Sequence, residues 1–314
     1  MSLLALLAAQ GNTPGAPPAG TDPRPVVADA TLNAIRPNGR RIGLLRVGPG
    51  KDYATISAAV SAANAIQVAK RDAEGLSSLT PNHRVDIIID AGTYTETLGL
   101  PSPYLAFYAA NGLKDGFTVQ QAGPGATLTG TLITNDSMYW EGGRILRAVQ
   151  DNTTSNWPKY PVHHAGHVRG STAIFARCTL DNQDPASAGG TSAYGSDGGT
   201  NGYVLLYDCT LTPGGTNAHG AASTTTGRQT FAVVACTVGG GVGWAAMNNI
   251  APDEMWVKDS AIAGGVTVSG TASTLHLSGS TVGGTVTAPT QDTRSDWPVP
   301  VGGLSPHERA YFGM

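Results

Sequence analysis

The chain has 314 residues, enough to bury a substantial core as one elongated domain or as a core with appendages. Only 13% of it is charged, against 42 Gly and 20 Pro, which excludes a charged helical bundle or an acidic disordered tail and fits a turn-rich β protein. A net charge of −3 with no basic aromatic stripe gives no case for nucleic-acid binding, and no apolar run is long enough to span a bilayer.

In chain order, residues 1–40 read as an extended arm and Gly/Pro linker. Its apolar run Leu3 to Ala9 follows a Met-Ser start with no basic segment, so a small packing helix or anchor is expected rather than an export signal. Residues 51–70 predict a helix with Ile56, Ala59, Val60 and Ala63 on one face. A helix in front of a β core covers the unpaired edge and apolar interior of the first coil. Strands are predicted at 85–90, within 93–100, at 117–120 and at 126–133.

The second half repeats. Cys178, Cys209, Cys236, Ser260 and Ser280 each have apolar residues five and three places before them and two places after. For Cys178 these are Ala173, Phe175 and Leu180; for Ser260 they are Met255, Val257 and Ile262. A period-two pattern that slips once, always at the same place, predicts two short strands joined by a bend that returns side chains to the interior. Met138, Trp140, Gly143 and Ile145 fit the same template, so the reference positions run 143, 178, 209, 236, 260 and 280, with shrinking intervals. Stacked in register, such units form one continuous core. The expected fold class is all-β, a right-handed single-stranded parallel β-helix over residues 41–290, with an N-terminal capping helix and a C-terminal extension or cap at 291–314. The three Cys read as small buried groups in a core ladder that Ser260 and Ser280 continue. The longer intervals place irregular excursions at 150–167, 181–200 and 213–228, which in a solenoid gather on one face, often a binding face.

Two segments carry a resemblance. Val47-Gly-Pro-Gly-Lys-Asp-Tyr-Ala-Thr-Ile56 with Ala58 to Ala63, and then Ile87-Ile-Ile-Asp-Ala-Gly92-Thr-Tyr94-Thr-Glu96, are similar to the start of a pectinesterase domain. The resemblance covers roughly residues 45–100 and implies the pectin lyase-like β-helix superfamily, whose members include lyases, hydrolases, esterases and non-catalytic virion spikes. Esterase chemistry of that kind needs two Asp carboxylates near one Arg, with Gln donors for the oxyanion. Here Gln183-Asp184 stands near the first motif, but Asn217 occupies the place of the second Asp and nothing matches the Arg motif, Arg228 being nearest by position. The family's catalytic pattern is therefore not retained.

If the chain is an enzyme, the candidate catalytic residues are Asp181, Asp184, Asp208, His219 and Arg228. Asp181, Asp184 and Asp197 read equally as solvated turn residues. His163, His164 and His167 form the densest titratable cluster, readable as a metal site or as a polar loop, and no cofactor is expected. Trp157, Tyr160, Tyr194 and Trp244 are candidate ligand-stacking residues, while Trp256 sits on an outward slot and predicts a contact with a partner.

The main reading is a structural or receptor-binding component of a virion, in a tail or surface appendage. It is expected to be a homo-oligomer, a trimer by resemblance to tail spikes, with residues 1–40 or 291–314 contacting other virion proteins and the excursions facing a cell-surface glycan. The alternatives are a phage-borne or secreted polysaccharide depolymerase and a non-viral surface adhesin, both extracellular.

Overall fold

The computed structural model describes residues 24, 29–37, 40–100, 102–121, 130–134, 137–148, 160–167, 172–183, 193–199, 202–214, 219–225, 229–246, 254–269 and 274–292. Over these residues the chain winds as a right-handed parallel β-helix with a single long helix at its N-terminal end. Every strand pairing is parallel, and each strand pairs with its equivalents in the coils before and after it. Sheet 1 is the longest, from Arg41–Val47 through Met138–Glu141, Thr172–Ala176, Gly202–Tyr207, Gln229–Val234 and Glu254–Lys258 to Thr274–Ser278 and Thr290–Asp292. Sheet 2 runs from Thr93–Thr95 through Arg144–Arg147, Thr179–Asn182 and Thr210–Thr212 to Thr281–Val282. Sheet 3 runs from Leu98–Gly99 through Gly130–Thr134, Tyr160–His167, Tyr194–Gly199, His219–Thr225 and Gly241–Ala246 to Val266–Ser269 and Val286–Thr287.

The slip in the repeat is the bend between sheets 1 and 2. Arg177, Asp208, Ala235, Asp259 and Gly279, each one place before a ladder residue, have φ of 54°, 49°, 53°, 51° and 61°. A left-handed residue there reverses the alternation, so the side chains on both sides of the bend enter the core. Trp140, Phe175, Leu206, Val233 and Val257 stack before the bend; Ile145, Leu180, Leu211, Val238 and Ile262 stack after it.

The ladder residues do more than fill space. At three of the bends the next coil supplies the acceptor for the backbone N–H of the ladder residue. Cys209 N donates to Cys236 Sγ (3.3 Å), Cys236 N to Ser260 Oγ (3.0 Å) and Ser260 N to Ser280 Oγ (3.1 Å). A small side chain that both accepts and donates is needed, which is why Ser follows Cys in one column. The thiols donate onward to carbonyl oxygens, Cys178 to Ala176 at 3.2 Å, Cys209 to Phe175 at 3.3 Å and Cys236 to Leu206 at 3.2 Å. Burial pushes the Cys178 and Cys236 thiols well above the ordinary range. All three cysteines are buried and free. Native protein is therefore expected to leave them unmodified by a thiol reagent such as DTNB, with all three reacting after denaturation; rapid modification under native conditions would contradict the buried column.

The described parts of the segments read as excursions form regular strands. Tyr160–His167, Tyr194–Gly199 and His219–Thr225 are strands of sheet 3, so what looked like insertions supplies the third wall of the coil. The predicted helix is observed at Ile56–Ala73, capped by Thr55, whose side chain accepts from Ala58 N (3.2 Å). Glu96 reaches back from the first coil and accepts from Ile56 N and Ser57 N at 2.8 Å each, tying the helix N-terminus to the β core. Ile56, Ala59, Val60 and Ala63 face the interior.

The arm expected to be extended is folded over part of its length. Ala30–Ile35 is a short helix, capped by Asp29, that packs Leu32 and Ile35 on the outer face of sheet 1 against Ile88, Tyr108, Tyr139 and Ile174. Tyr207 Oη donates to Asp29 (3.0 Å), and Arg36 Nε donates to Glu141 (2.7 Å), whose other oxygen also bonds the guanidinium. Tyr139 Oη adds a third bond to Glu141 at 2.8 Å. At the other end, Thr290–Asp292 pairs with Thr274–Ser278, so the regular coil runs two residues into the expected extension. No helix among the described residues is long and apolar enough to cross a membrane.

Candidate functional site

The most developed polar arrangement on the outer surface lies on sheet 2. Arg144 opens the strand Arg144–Arg147 and Asp181 belongs to the next, Thr179–Asn182; Thr179 pairs with Arg144, which sets Asp181 diagonally across the strand pair. The Asp181 Oδ2 atom accepts from Arg144 Nε (3.1 Å), from Arg144 Nη2 and from Gln183 Nε2 (3.0 Å). The carboxylate side chain is only 7% exposed, whereas Arg144 is 33% exposed and Gln183 is exposed. The result is a nearly buried carboxylate overlaid by a guanidinium and an amide that donate to it and remain partly open to solvent. Behind it, at the inner corner of the coil, Arg147 Nη1 donates to Gln121 Oε1 (2.7 Å), and Asn182 is buried opposite Arg147.

The strand Tyr160–His167 packs against both of these sheet 2 strands across the corner. Its residues alternate: Val162 joins the core, His163 lies on the opposite face, and His164 returns to the interior, where its Nδ1 meets Tyr194 Oη at 3.3 Å. The two adjacent His therefore do not converge, and no group of metal-ligating side chains occurs among the described residues. Tyr160 is buried, its ring tilted on His163 with centroids 5.6 Å apart. It lies over Gly195, where an added Cβ would fall 2.1 Å from the ring, so this contact requires glycine.

Several expectations are corrected. Tyr194 is not a surface platform: it is fully buried between Phe175 (5.9 Å) and Phe231 (5.7 Å), and burial raises its phenol above the ordinary value. Trp256 needs no neighbouring subunit to cover it, because it is 8% exposed within the single chain and stacks on His276 at 3.7 Å. The partner contact expected of it loses that support. Asp208 does not join Asp181. It sits at a left-handed bend, where Lys114 Nζ (2.7 Å) and Arg177 Nε (3.8 Å) neutralise it, while Asp181 lies on the strand beyond the equivalent bend of its own coil, opposite Thr212, and is paired with Arg144. Each carboxylate is engaged by its own cation, so a hydrolytic pair of Asp181 with Asp208 loses its support.

Asp184, Arg228 and Trp157 lie outside the described residues. His219, Trp244 and His167 are placed by backbone only. His219 opens the sheet 3 strand opposite Gly241, Trp244 pairs with Ser223 and Val268, and His167 pairs with Gly199. Arg144 was missed from sequence because nothing marks it locally. Aligning Gly143 with Cys178 would have found it, since this puts Arg144 one place, and Asp181 three places, after equivalent positions.

Among solved structures, the chain is similar to a pectin methylesterase from carrot at 13% identity and a TM-score of 0.46, covering 89% of this chain and 94% of the other. It is likewise similar to a pectin methylesterase from Aspergillus niger in deglycosylated form, at 12% identity and a TM-score of 0.39, covering 93% and 96%. A likeness at this level concerns the course of the chain and transfers no chemistry. No known family profile and no curated protein matches the sequence.

Proposed function

We propose that this protein is glycan-directed, and that the sheet 2 face around Arg144, Asp181 and Gln183 engages a polysaccharide. The observation that supports this reading is a guanidinium and an amide at the surface, both oriented by donating to the nearly buried Asp181 carboxylate beneath them. Sugar hydroxyls and carboxylates are bound by such planar, preorganised donors, and a guanidinium can take two acceptors at once. Ester hydrolysis of the kind considered above would need a second Asp carboxylate beside Arg144, so this observation supports binding of a glycan, and processing of it is left to the experiment. Receptor binding within a virion tail or appendage is the second reading, on which the same face holds a glycan without processing it.

The test is a screen of acidic, esterified and neutral polysaccharides, scored for binding and for released reducing ends, unsaturated products, methanol or acetate. Binding with release of product establishes a processing enzyme. Binding without turnover establishes a receptor-binding protein. Binding to no polysaccharide would overturn the proposal.

A further inference from the structure

We propose that the outer face of sheet 1, beyond the arm helix, is the docking surface for the C-terminal segment of this chain, residues 293–314, which lie outside the described residues. The arm covers the first part of that face. Its helix Ala30–Ile35 is about 9 Å long. Its ends are fixed two strands apart, Asp29 on Tyr207 (3.0 Å) and Arg36 on Glu141 (2.7 Å). Arg24, which donates to Pro37 O (3.1 Å), lies back beside the first coils, where Arg84 bonds the same carbonyl. Trp256 stands two strands beyond Tyr207 in the other direction, with Ala232 and Val234 on the strand between. All three face outward, yet Trp256, Ala232 and Val234 are only 8%, 2% and 4% exposed. A large side chain on the outer face of a sheet is buried to this degree when something lies across the sheet.

The chain leaves the coil in the right place to supply that cover. Thr290–Asp292 is the last described strand of sheet 1. Asp292 pairs with His276, its carboxylate 3.6 Å from the imidazole, and His276 stacks on Trp256 at 3.7 Å. Residue 293 therefore starts beside the covered face. From Asp292 to the strand of Tyr203 is four strand spacings, roughly 19 Å, which about six extended residues cross. The sequence that follows suits a strap laid over a sheet rather than one more coil. In Trp297-Pro-Val-Pro-Val301, the prolines at 298 and 300 hold residues 297 and 299 extended and cannot donate to a strand ladder. Trp297, Val299 and Val301 then share one side, apolar like the face itself. The face also needs acceptors, because Tyr203 Oη and Trp256 Nε1 are buried without a hydrogen-bond partner. A proline-rich strap brings carbonyl oxygens while adding few N–H groups that need partners of their own.

The experiment is hydroxyl-radical footprinting of the full chain, read by mass spectrometry at Trp256 and Tyr203, with the core residue Trp140 as the control for folding. In wild type both are expected to be protected, equally at about 1 μM and about 100 μM protein. The double variant Trp297→Asp, Val299→Asp is expected to raise oxidation of Trp256 several-fold while Trp140 stays protected. Trp297→Phe is expected to keep the wild-type pattern. Trp256 labelled in wild type as in denatured protein would show an open face, and protection seen only at the higher concentration would show a second copy there. Protection kept in the double Asp variant would show that another segment, such as residues 1–23, is the cover. Each of these three results overturns the proposal. A second measurement does not rely on disruption. The variant Trp297→p-benzoylphenylalanine, irradiated in the full chain, is expected to crosslink within one chain to the outer face of sheet 1 between residues 203 and 276; crosslinks confined to other surfaces overturn the proposal as well.

Discussion

Replacing Trp140 with Ala is expected to destabilise the protein by about 3–5 kcal/mol, near the largest effect of any single truncation in this core. Trp140 is fully buried in the middle of the coil stack. Its ring stacks on Phe107 with centroids 4.6 Å apart and leans on Phe117 at 5.8 Å. Its Nε1 donates to Gly142 O at 2.9 Å, so truncation also strips a partner from the bend where Gly142 and Gly143 both have φ of 77°. Cavity, lost stacking and lost hydrogen bond act in the same direction. Chemical denaturation followed by tryptophan-independent circular dichroism measures the loss. A value below about 1 kcal/mol would mean that the coil closes around the missing ring, contrary to a column packed from both sides.

Arg36→Ala is expected to cost about 3–5 kcal/mol, because it leaves Glu141 charged and 1% exposed beneath the arm helix. The guanidinium holds both Glu141 oxygens. Although burial lowers the affinity of Arg36 for its proton, the hydrogen bond and charge of Glu141 more than offset this and raise its pKa above the ordinary value. The pair is costly to break and need not be stabilising as a whole. The double variant Arg36→Met, Glu141→Leu is accordingly expected to recover most of the loss. Proteolysis provides a second readout, since release of the arm in Arg36→Ala would expose 29–37 to cleavage. If Arg36→Ala melted like wild type and resisted protease equally, the arm would not be held by this pair.

Much of the fold was legible because the bend recurs. Offsets of −5, −3, 0 and +2 around Cys178, Cys209, Cys236, Ser260 and Ser280 carry both the strand alternation and the left-handed residue that interrupts it. Sheet 3 was less legible, for a physical reason. Its strands follow links of unequal length, so Val162, Tyr194 and Val242 keep no fixed distance from the ladder residue that precedes them, and they were read as excursions. The ladder was visible as a column of small residues, but its second role was not, because the bond from Cys236 N to Ser260 Oγ exists only once coils are stacked. Partners far apart in sequence were the least accessible. Asp29 with Tyr207, Arg36 with Glu141 and Arg144 with Asp181 are set by where sheets 1 and 2 pass, and no local pattern announces them. Trp256 follows the same rule: its outward slot predicts a covering partner, and the cover comes from the same chain, because the outer face of sheet 1 carries its own apolar layer around Tyr139, Ile174 and Leu205.

The measurement that bears most directly on the glycan-directed reading is the dissociation constant for the tightest polysaccharide ligand, compared among wild type, Arg144→Ala and Asp208→Asn. The guanidinium of Arg144 stands at the proposed face, whereas Asp208 belongs to the left-handed bend before the strand Thr210–Thr212 and is neutralised by Lys114 and Arg177. Arg144→Ala is predicted to weaken binding by about ten- to a hundred-fold, the loss of one charge-assisted contact, while Asp208→Asn leaves it unchanged. Equal binding by wild type and Arg144→Ala, or a loss confined to Asp208→Asn, would contradict the assignment of that face.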